Sequence, residues 1–408
     1  MKKNILVIGV RSACYQALNA LGHHVILWGD KKIHSHRKNQ VSAWIEYPYS
    51  QCMNGLTEAI QMQLKKFPID HVITSTEETV ILGARVREFL GIHGVTVSVA
   101  ERFRNKWIMK NTAQEIGIPM TKYQLIDADT QVDDLIEYLG LPILIKPISS
   151  SGARNISIVS TKAEYSRFKE NTFTSCATSE QEIRSQFSAG ISDKRSYLAE
   201  SLITGTEMSV ETFTKDGIPF FHNSTEYLHI WRKSMVPADL GPSLKNTILE
   251  LNDKLITHFG LDSGMTHAEF YLTDNGPLFG EIALRPPGGY LMNLIEKVYG
   301  FDPWITYVQL ECGEKMHAIV NTPNGFACVY LMHPGEGKVE KITGIEQIEK
   351  KLTSIFDFNL RIKVGDYVTK RLSTSNEVGH ILLWASTRKQ LLIDLAYIES
   401  NFAIQIKP

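Results

Sequence analysis

The stretch Glu269-Phe-Tyr-Leu-Thr-Asp-Asn-Gly-Pro-Leu-Phe-Gly-Glu281-Ile-Ala-Leu-Arg285-Pro-Pro-Gly-Gly289 combines two acids, a cation and a glycine pair. An apolar run at 270–272, the Asp-Asn-Gly turn signal at 274–276 and a second apolar run at 277–282 predict two short strands joined by a tight turn. We therefore expect a β-hairpin on which Glu269 and Glu281 face one another.

Two carboxylates at that separation repel each other unless a cation lies between them. Magnesium suits such a pair, because it takes few protein oxygens and keeps phosphate oxygens and waters as its other ligands. Arg285 would then meet the negative charge that remains. The alternative is a surface hairpin with scattered acids. The other motifs of the chain are needed to distinguish these two interpretations.

Composition limits the classes of function. At 408 residues the chain is long enough for several packed units, and its 43% apolar content is sufficient to build them. Forty-three basic against 44 acidic side chains leave a net charge of -1, which argues against nucleic acid or an anionic membrane as a partner. The apolar run at 5–10 is too short for a secretory signal, so we expect a cytoplasmic location. Five scattered cysteines without a Cys-x-x-Cys pair indicate reduced thiols.

The first hundred residues alternate strand and helix patterns. Strands at 4–9, 24–28 and 71–74, a strand near 95–97 and intervening helices predict an open parallel α/β domain at 1–103. A dinucleotide oxidoreductase is a poor fit, because the turn Gly9-Val-Arg-Ser-Ala13 lacks the G-x-G-x-x-G pattern.

Three further units are expected. Residues 104–196 predict a small α+β unit that ends in a polar lid at 161–196. Residues 197–325 carry strands, helices and the opening hairpin, and 326–408 form a β-rich C-terminal module. The fold class is therefore a multidomain α/β and α+β protein.

A candidate phosphate loop follows a predicted strand that ends at Lys146. The loop reads Ser149-Ser150-Ser151-Gly152-Ala-Arg154, and such small residues let backbone N–H groups surround phosphate oxygens. The alternative is a solvated strand end followed by an ordinary turn.

A second candidate lies at 197–211, where an edge-like strand is followed by a glycine turn and another acid. The exposed backbone of such a strand can hydrogen-bond a purine. Glu207 has the free lone pairs that ribose hydroxyls need as acceptors.

The order Lys106, Lys146 with its Ser/Gly loop, Glu200-x6-Glu207 and Glu269-x11-Glu281-x3-Arg285 resembles the ATP-grasp superfamily of carboxylate–amine ligases. The resemblance covers nearly the whole chain. It implies an ATP-grasp fold between an open parallel α/β pre-ATP-grasp domain and a small β-rich module, which resembles that of biotin-carboxylase-like members.

The resemblance also implies roles for the site residues. Phosphate contacts fall to Lys106, Lys146, Ser150, Ser151 and Gly152, adenine contacts to Glu200, Ser201, Leu202 and Ile203, and the ribose to Glu207. Glu269 and Glu281 become the ligands of Mg²⁺ or Mn²⁺. Arg285, with Gly288 and Gly289, is matched to the groups that hold the substrate carboxylate and its acyl phosphate.

One position departs from many family members. Ala283 stands where they have an asparagine that ligates metal, and the same small residue resembles the L-amino acid ligase (dipeptide ligase) branch. In that branch the region around 225–238 holds substrate, so Glu226, and more weakly His229, are expected to bind an α-ammonium group.

The resulting expectation is an ATP-dependent ligase that activates a carboxylate as an acyl phosphate and joins it to an amine. Small-molecule substrates, no nucleic acid, no membrane and a possible homodimer follow from the resemblance and the charge. Two alternatives stay open: transfer of the acyl group to a carrier-protein thiol, and an ATP-binding homologue that has lost turnover.

Overall fold

A computed structural model of the protein describes residues 2–9, 11–29, 31–52, 55–149, 152, 155–174, 196–230, 232–371 and 376–407. Ser150 and Ser151 of the predicted phosphate loop lie outside the described residues, as does most of the predicted lid at 161–196.

The N-terminal part of the chain is an open sheet flanked by helices. Its strands are β1 (Asn4–Ile8), β2 (His24–Trp28), β3 (Ala43–Ile45) and β4 (His71–Thr74), and its helices are α1 (Ser12–Ala20), α2 (Lys31–Arg37), α3 (Glu58–Leu64), α4 (Val80–Leu90) and α5 (Val97–Arg104). All pairs are parallel, in the order β3-β2-β1-β4. Residues 5–8 of β1 are fully buried, as expected of a strand covered on both faces. The predicted parallel α/β domain is confirmed.

The strand predicted near 95–97 is wrong, because helix α5 begins at Val97. The hydroxyl of Thr96 accepts a hydrogen bond from the backbone N–H of Val99 at 3.4 Å and so caps the helix. The β-branched residues of this segment suggested a strand, but the cap and tertiary packing decide for a helix.

A second, four-stranded sheet follows. Its strands are β5 (Tyr123–Ile126), β6 (Ile143–Pro147), β7 (Ser157–Val159) and β8 (Tyr197–Ser201), and the accompanying helices are α6 (Lys106–Glu115), α7 (Val132–Leu139) and α8 (Lys162–Lys169). The strands are antiparallel, in the order β5-β8-β6-β7. We call this the small sheet.

The large sheet has eight antiparallel strands. They are β9 (Thr206–Lys215), β10 (Ile218–His229), β11 (Lys233–Val236), β12 (Gly264–Thr273), β13 (Gly276–Ala283), β14 (Phe326–Met332), β16 (Ile355–Leu360) and β18 (Gly379–Ala385). Their order is β13-β12-β9-β10-β11-β14-β18-β16. Helices α9 (Pro242–His258), α10 (Leu291–Tyr299), α11 (Pro303–Glu311) and α13 (Arg388–Asn401) pack on it. The predicted hairpin is confirmed as β12–β13.

The C-terminal part contributes strands to two sheets. Besides β14, β16 and β18 it forms a three-stranded sheet of β15 (Gly337–Thr343), β17 (Tyr367–Val368) and β19 (Ala403–Lys407), with helix α12 (Ile345–Lys351). The predicted boundary at 325/326 thus falls between strands of one continuous sheet, and the division into four units stays a prediction. Among the helices of the described residues, none is long and apolar enough to span a membrane.

The two faces of the large sheet meet different helices. On one face Phe213 and Val329 pack with Leu294 of α10. On the other face Met235 and Cys328 pack with α13. Side chains along a strand point alternately to the two faces of the sheet. Odd- and even-numbered residues of one strand therefore enter different environments.

Candidate active site

A cleft of about 490 Å³ lies between the small sheet and the α10 face of the large sheet. Most of the site residues that were predicted from the sequence line this cleft. Those that line it are Lys106, Lys146, Gly152, Glu200, Ser201, Leu202, Ile203, Glu207, Glu269, Glu281, Arg285, Gly288 and Gly289. Residues separated by almost two hundred positions therefore share one cavity.

One end of this cleft is a cluster of lysines and glutamates. Lys146 Nζ lies 2.6 Å from Glu200 Oε2 and 3.9 Å from Glu281 Oε2, and Lys106 Nζ lies 3.2 Å from the same Glu281 oxygen. A third lysine, Lys110, lies 2.9 Å from Glu200 Oε1. We call these residues, with Glu207, Glu269 and Arg285, the charged end.

Glu200 is an internal anion of this cluster. Burial by itself would raise the pKa of the carboxyl group, but Lys110 and Lys146 outweigh burial and lower it to about 2. Its carboxylate is thus paired with two lysines. The residues that follow it, Ser201, Leu202 and Ile203, line the cleft. The sequence reading missed Lys110, although its place one turn after Lys106 on α6 was a usable signal.

Glu269 and Glu281 are direct partners across β12 and β13. Their side chains are 25% and 26% exposed. Gly280 is the extra residue of a bulge beside them, where a Cβ would lie 2.9 Å from the Tyr271 ring. Both carboxylates therefore open into the cleft from adjacent strands.

This donor set fits a magnesium ion that keeps most of its ligands from nucleotide and water. Burial, with the charges of Glu269 and Glu281, raises the pKa of Glu207 to about 8, so a cation held between these groups would relieve their repulsion. Among the described residues, no three His, Cys, Asp or Glu side chains are grouped so as to hold a metal by themselves. Two carboxylates plus phosphate oxygens match the preference of magnesium.

A buried network lies beneath Glu269. His267 Nδ1 lies 2.9 Å from Glu211 Oε1, and its Nε2 lies 3.5 Å from Glu269 Oε1. Burial would lower the pKa of His267, but its hydrogen bonds to the two carboxylates raise it to about 9. Ala283, at the position noted in the sequence, is the cross-strand partner of His267. The sequence reading missed His267 and Glu211, since strand alternation alone does not single them out.

Glu211 is fully buried and well supplied with donors. Its carboxylate accepts hydrogen bonds from Ser209 Oγ at 2.6 Å, Asn223 Nδ2 at 2.5 Å and Thr225 Oγ1 at 2.8 Å. These neutral donors and His267 satisfy the buried anion, which keeps its pKa below the usual range despite burial. The network fixes the strands that carry Glu207 and Glu269.

Arg285 is held by an acid of the N-terminal sheet. Its Nε and Nη2 each lie 3.0 Å from Glu77 Oε2, just after the end of β4. The other oxygen of Glu77 pairs with Arg104, whose Nη2 donates to the Ser149 carbonyl at 2.8 Å. Arg11, after β1, donates to the Pro287 carbonyl at 2.8 Å. The carboxyl ends of β1 and β4 thus position the segment that follows β13.

Glu77 is a site residue that the sequence reading missed. An acid directly after a parallel strand was the available signal. Its partner lies 208 positions further along the chain, and no local pattern connects them. Gly288 and Gly289 line the cleft after Arg285, with Gly289 at φ +60°, where glycine is favoured.

Glu226 and His229 do not line the cleft. Glu226 pairs in register with Met208 and Met235, both on the face away from the cleft. There the guanidinium of Arg388 donates to both of its oxygens, at 2.8 and 3.0 Å. His229 is exposed, and its Nδ1 lies 2.8 Å from the Ile230 carbonyl. The predicted α-ammonium role is therefore corrected. Alternation along β10 turns Tyr227, not Glu226, into the cleft, and a register shift between Tyr227 and His229 interrupts this alternation before His229.

The other end of the cleft has a different character. It is lined by Tyr227, Ile230, Ser234, Leu291 and Leu331. We call these residues the distal end.

Comparison with known proteins identifies a domain family and similar ligases. Residues 139–293 match the ATP-grasp domain family. The L-arginine-specific L-amino acid ligase of Bacillus subtilis is 25% identical over 382 residues, covering 90% of this chain and 88% of that protein.

Two solved structures share the fold over the whole chain. The crystal structure of an L-amino acid ligase from Bacillus licheniformis superposes with a TM-score of 0.82 at 18% identity, covering 100% of this chain and 99% of that one. The biotin carboxylase domain of a Hydrogenobacter thermophilus 2-oxoglutarate carboxylase, solved with MgADP, gives 0.73 at 17% identity, covering 100% and 92%. Residues 139–293 thus match the ATP-grasp domain, and most of the chain is similar to amino acid ligases that share this fold.

Proposed function

We propose that this protein uses ATP to activate the carboxylate of one amino acid and joins it to the amino group of a second. The observation that carries the proposal is the meeting of Lys106, Lys146, Glu269, Glu281 and Arg285 in one cleft. The amino acid ligases similar to this chain support the choice of substrates.

The nucleotide would lie between the two sheets. Ser201 N–H and Leu202 N–H already donate to the Lys122 and Pro142 carbonyls, at 3.0 and 3.2 Å. Adenine would therefore use the Leu202 carbonyl and the Ile203 N–H. Glu207 would accept hydrogen bonds from the ribose hydroxyls.

Glu269 and Glu281 would hold magnesium or manganese together with the phosphates. The bound metal supplies positive charge that offsets the negative charge of the phosphoryl groups. Lys106 and Lys146 add charge from the opposite side. On nucleotide binding these lysines would exchange part of their contact with Glu200 and Glu281 for phosphate oxygens.

In the first step a carboxylate oxygen of the donor amino acid attacks the γ-phosphorus, the bond to the β-phosphate oxygen breaks, and ADP leaves. In the second step the amine nitrogen attacks the carbonyl carbon of the acyl phosphate. The bond to phosphate then breaks, and the nitrogen loses a proton. Arg285 would hold the oxygens of the carboxylate and the phosphoryl group, since its planar fork is permanently charged.

The test is nucleotide and phosphate analysis with ATP, magnesium and a matrix of paired amino acids. We expect ADP, phosphate and a dipeptide in equal amounts. AMP with pyrophosphate would contradict the acyl phosphate route. A loaded carrier-protein thiol as the only product would replace the amine by another acceptor.

A further inference from the structure

Besides the charged end, the cleft includes residues of β10, β11 and β14. Its floor crosses the large sheet from the metal hairpin on β12–β13 to β14, with β9, β10 and β11 between. Four strand spacings from β12 to β14 correspond to about 19 Å. That length is enough for an amino acid beyond the γ-phosphate.

Register shows that the floor of the distal end is one continuous surface. Tyr227 on β10 pairs with Ser234 on β11, and Ser234 pairs with Val329 on β14. Leu331 lies two residues beyond Val329 and so shares its face. Leu291, at the start of α10, covers this floor from above.

The acids of the cleft are confined to the charged end. Glu200, Glu207, Glu269 and Glu281 lie on the small sheet or on β9, β12 and β13. Among the described residues that line the distal end, the polar groups are the hydroxyls of Ser234 and Tyr227. The Tyr227 hydroxyl already donates to Ser209 Oγ at 3.1 Å.

The β14 side of the distal end is basic, whereas at its other side burial and the charges of Glu269, Glu211 and Glu207 raise the pKa of Tyr227. Arg232, whose carbonyl accepts a hydrogen bond from the N–H of Leu331, donates through Nη2 to the His333 carbonyl at 3.3 Å. Burial and the charges of Arg371 and Arg232 together lower the pKa of His333. A cation placed at the Leu331 side would meet apolar walls and the charge of Arg232, which is unfavourable on both counts.

We infer that the distal end receives the side chain of the donor amino acid, and that this side chain is uncharged and mainly apolar. The inference rests on the proposed function and deepens it. Arg285 fixes the carboxylate next to the γ-phosphate, so the rest of the donor extends over Tyr227 toward Ser234 and Leu331. The relative named for arginine specificity would then differ from this chain in the amino acid that it prefers.

The first experiment measures ADP release and identifies the dipeptides by mass spectrometry, with Leu, Met, Phe, Arg, Lys, Asp and Glu each offered as donor against a common set of acceptors. We expect kcat/KM for the apolar donors to exceed that for arginine and lysine by about tenfold or more. Arginine or lysine as the preferred N-terminal residue would overturn the inference while leaving the ligase activity intact. No ADP from any pair would overturn the proposed function itself and this inference with it.

A variant sharpens the result. Ser234→Asp places an anion on the distal floor, so we expect the ratio of arginine to leucine use to rise by about tenfold. Ser234→Ala should keep the apolar preference. The matched control is Ile218→Asp, which puts the same charge on the same sheet at a side chain that is 67% exposed and outside the cleft lining. An unchanged ratio in folded Ser234→Asp would contradict the assignment of the distal end.

Discussion

The two ends of the cleft share one sheet but differ in how they are built. The charged end gathers ionised groups from the N-terminal sheet, α6, the small sheet and the β12–β13 hairpin. The distal end is made by the apolar side chains of Ile230, Leu291 and Leu331, with two hydroxyls from β10 and β11. A buried charge needs a partner of opposite charge, which here comes from another segment of the chain. An apolar wall needs only side chains that point into the cleft. We therefore expect substitutions to act on turnover at the charged end and on substrate choice at the distal end.

The largest effect is expected from Arg285→Ala. In the proposed mechanism this change removes the permanent cation beside the transferring phosphoryl group, and ADP release should fall by roughly 10³-fold or more. Steady-state ADP formation measures it, and thermal unfolding checks that the fold persists. Arg167→Ala, at an exposed position of α8, is the matched control. A folded Arg285→Ala protein with full turnover would remove the basis of the charged end.

A smaller loss should follow from Glu77→Gln. Glu77 does not line the cleft, but it holds Arg285 and Arg104 together. Misplacing Arg285 should lower kcat by about 10²-fold while the KM for ATP changes much less. Glu77→Asp keeps the charge and should retain part of the activity. Equal kcat in Glu77→Gln and the unchanged protein would show that Arg285 needs no support from the N-terminal sheet.

The charged end should also contribute to the stability of the fold in a way that depends on pH. The pKa of Glu200 is about 2 in the folded protein and about 4.5 ordinarily. Because the folded value is the lower one, the carboxylate stabilises the fold above pH 4.5, and this contribution is lost as pH falls from 4.5 toward 2. Lys110→Met leaves Lys146 as the neighbouring cation, so the pKa of Glu200 should rise.

The midpoint of acid unfolding should therefore move to higher pH in Lys110→Met, as followed by circular dichroism. Lys254→Met, at an exposed position of α9, removes the same charge elsewhere and should leave the midpoint in place. A midpoint that moves to lower pH would contradict the pairing of Lys110 with Glu200.

The smallest effect is expected from Tyr227→Phe. The ring stays as a wall of the distal end, and only the hydrogen bond to Ser209 is lost. The free energy of unfolding should fall by about 1 kcal/mol, measured by urea unfolding, with the donor preference unchanged. A change of donor preference would mean that the hydroxyl, rather than the apolar wall, selects the substrate.

The elements with local signals were predictable from the sequence. The parallel N-terminal sheet follows from its buried apolar strands, and the β12–β13 hairpin from its Asp-Asn-Gly turn. Alternation within that hairpin was enough to place Glu269 opposite Glu281. The strand expected near 95–97 failed because a helix cap outweighed β-branched composition.

What tertiary structure alone decided are the pairings between distant segments. The sequence nominated Glu226, yet the face on which β10 packs sends it to Arg388, 162 positions away. It gave no sign that Glu77 meets Arg285, that Lys110 shares Glu200 with Lys146, or that one sheet extends across residue 325. The sequence by itself determined which residues are strand, turn, acid or cation, because these depend on near neighbours. Which face each strand buries, and which charges then meet, depends on how the sheets pack.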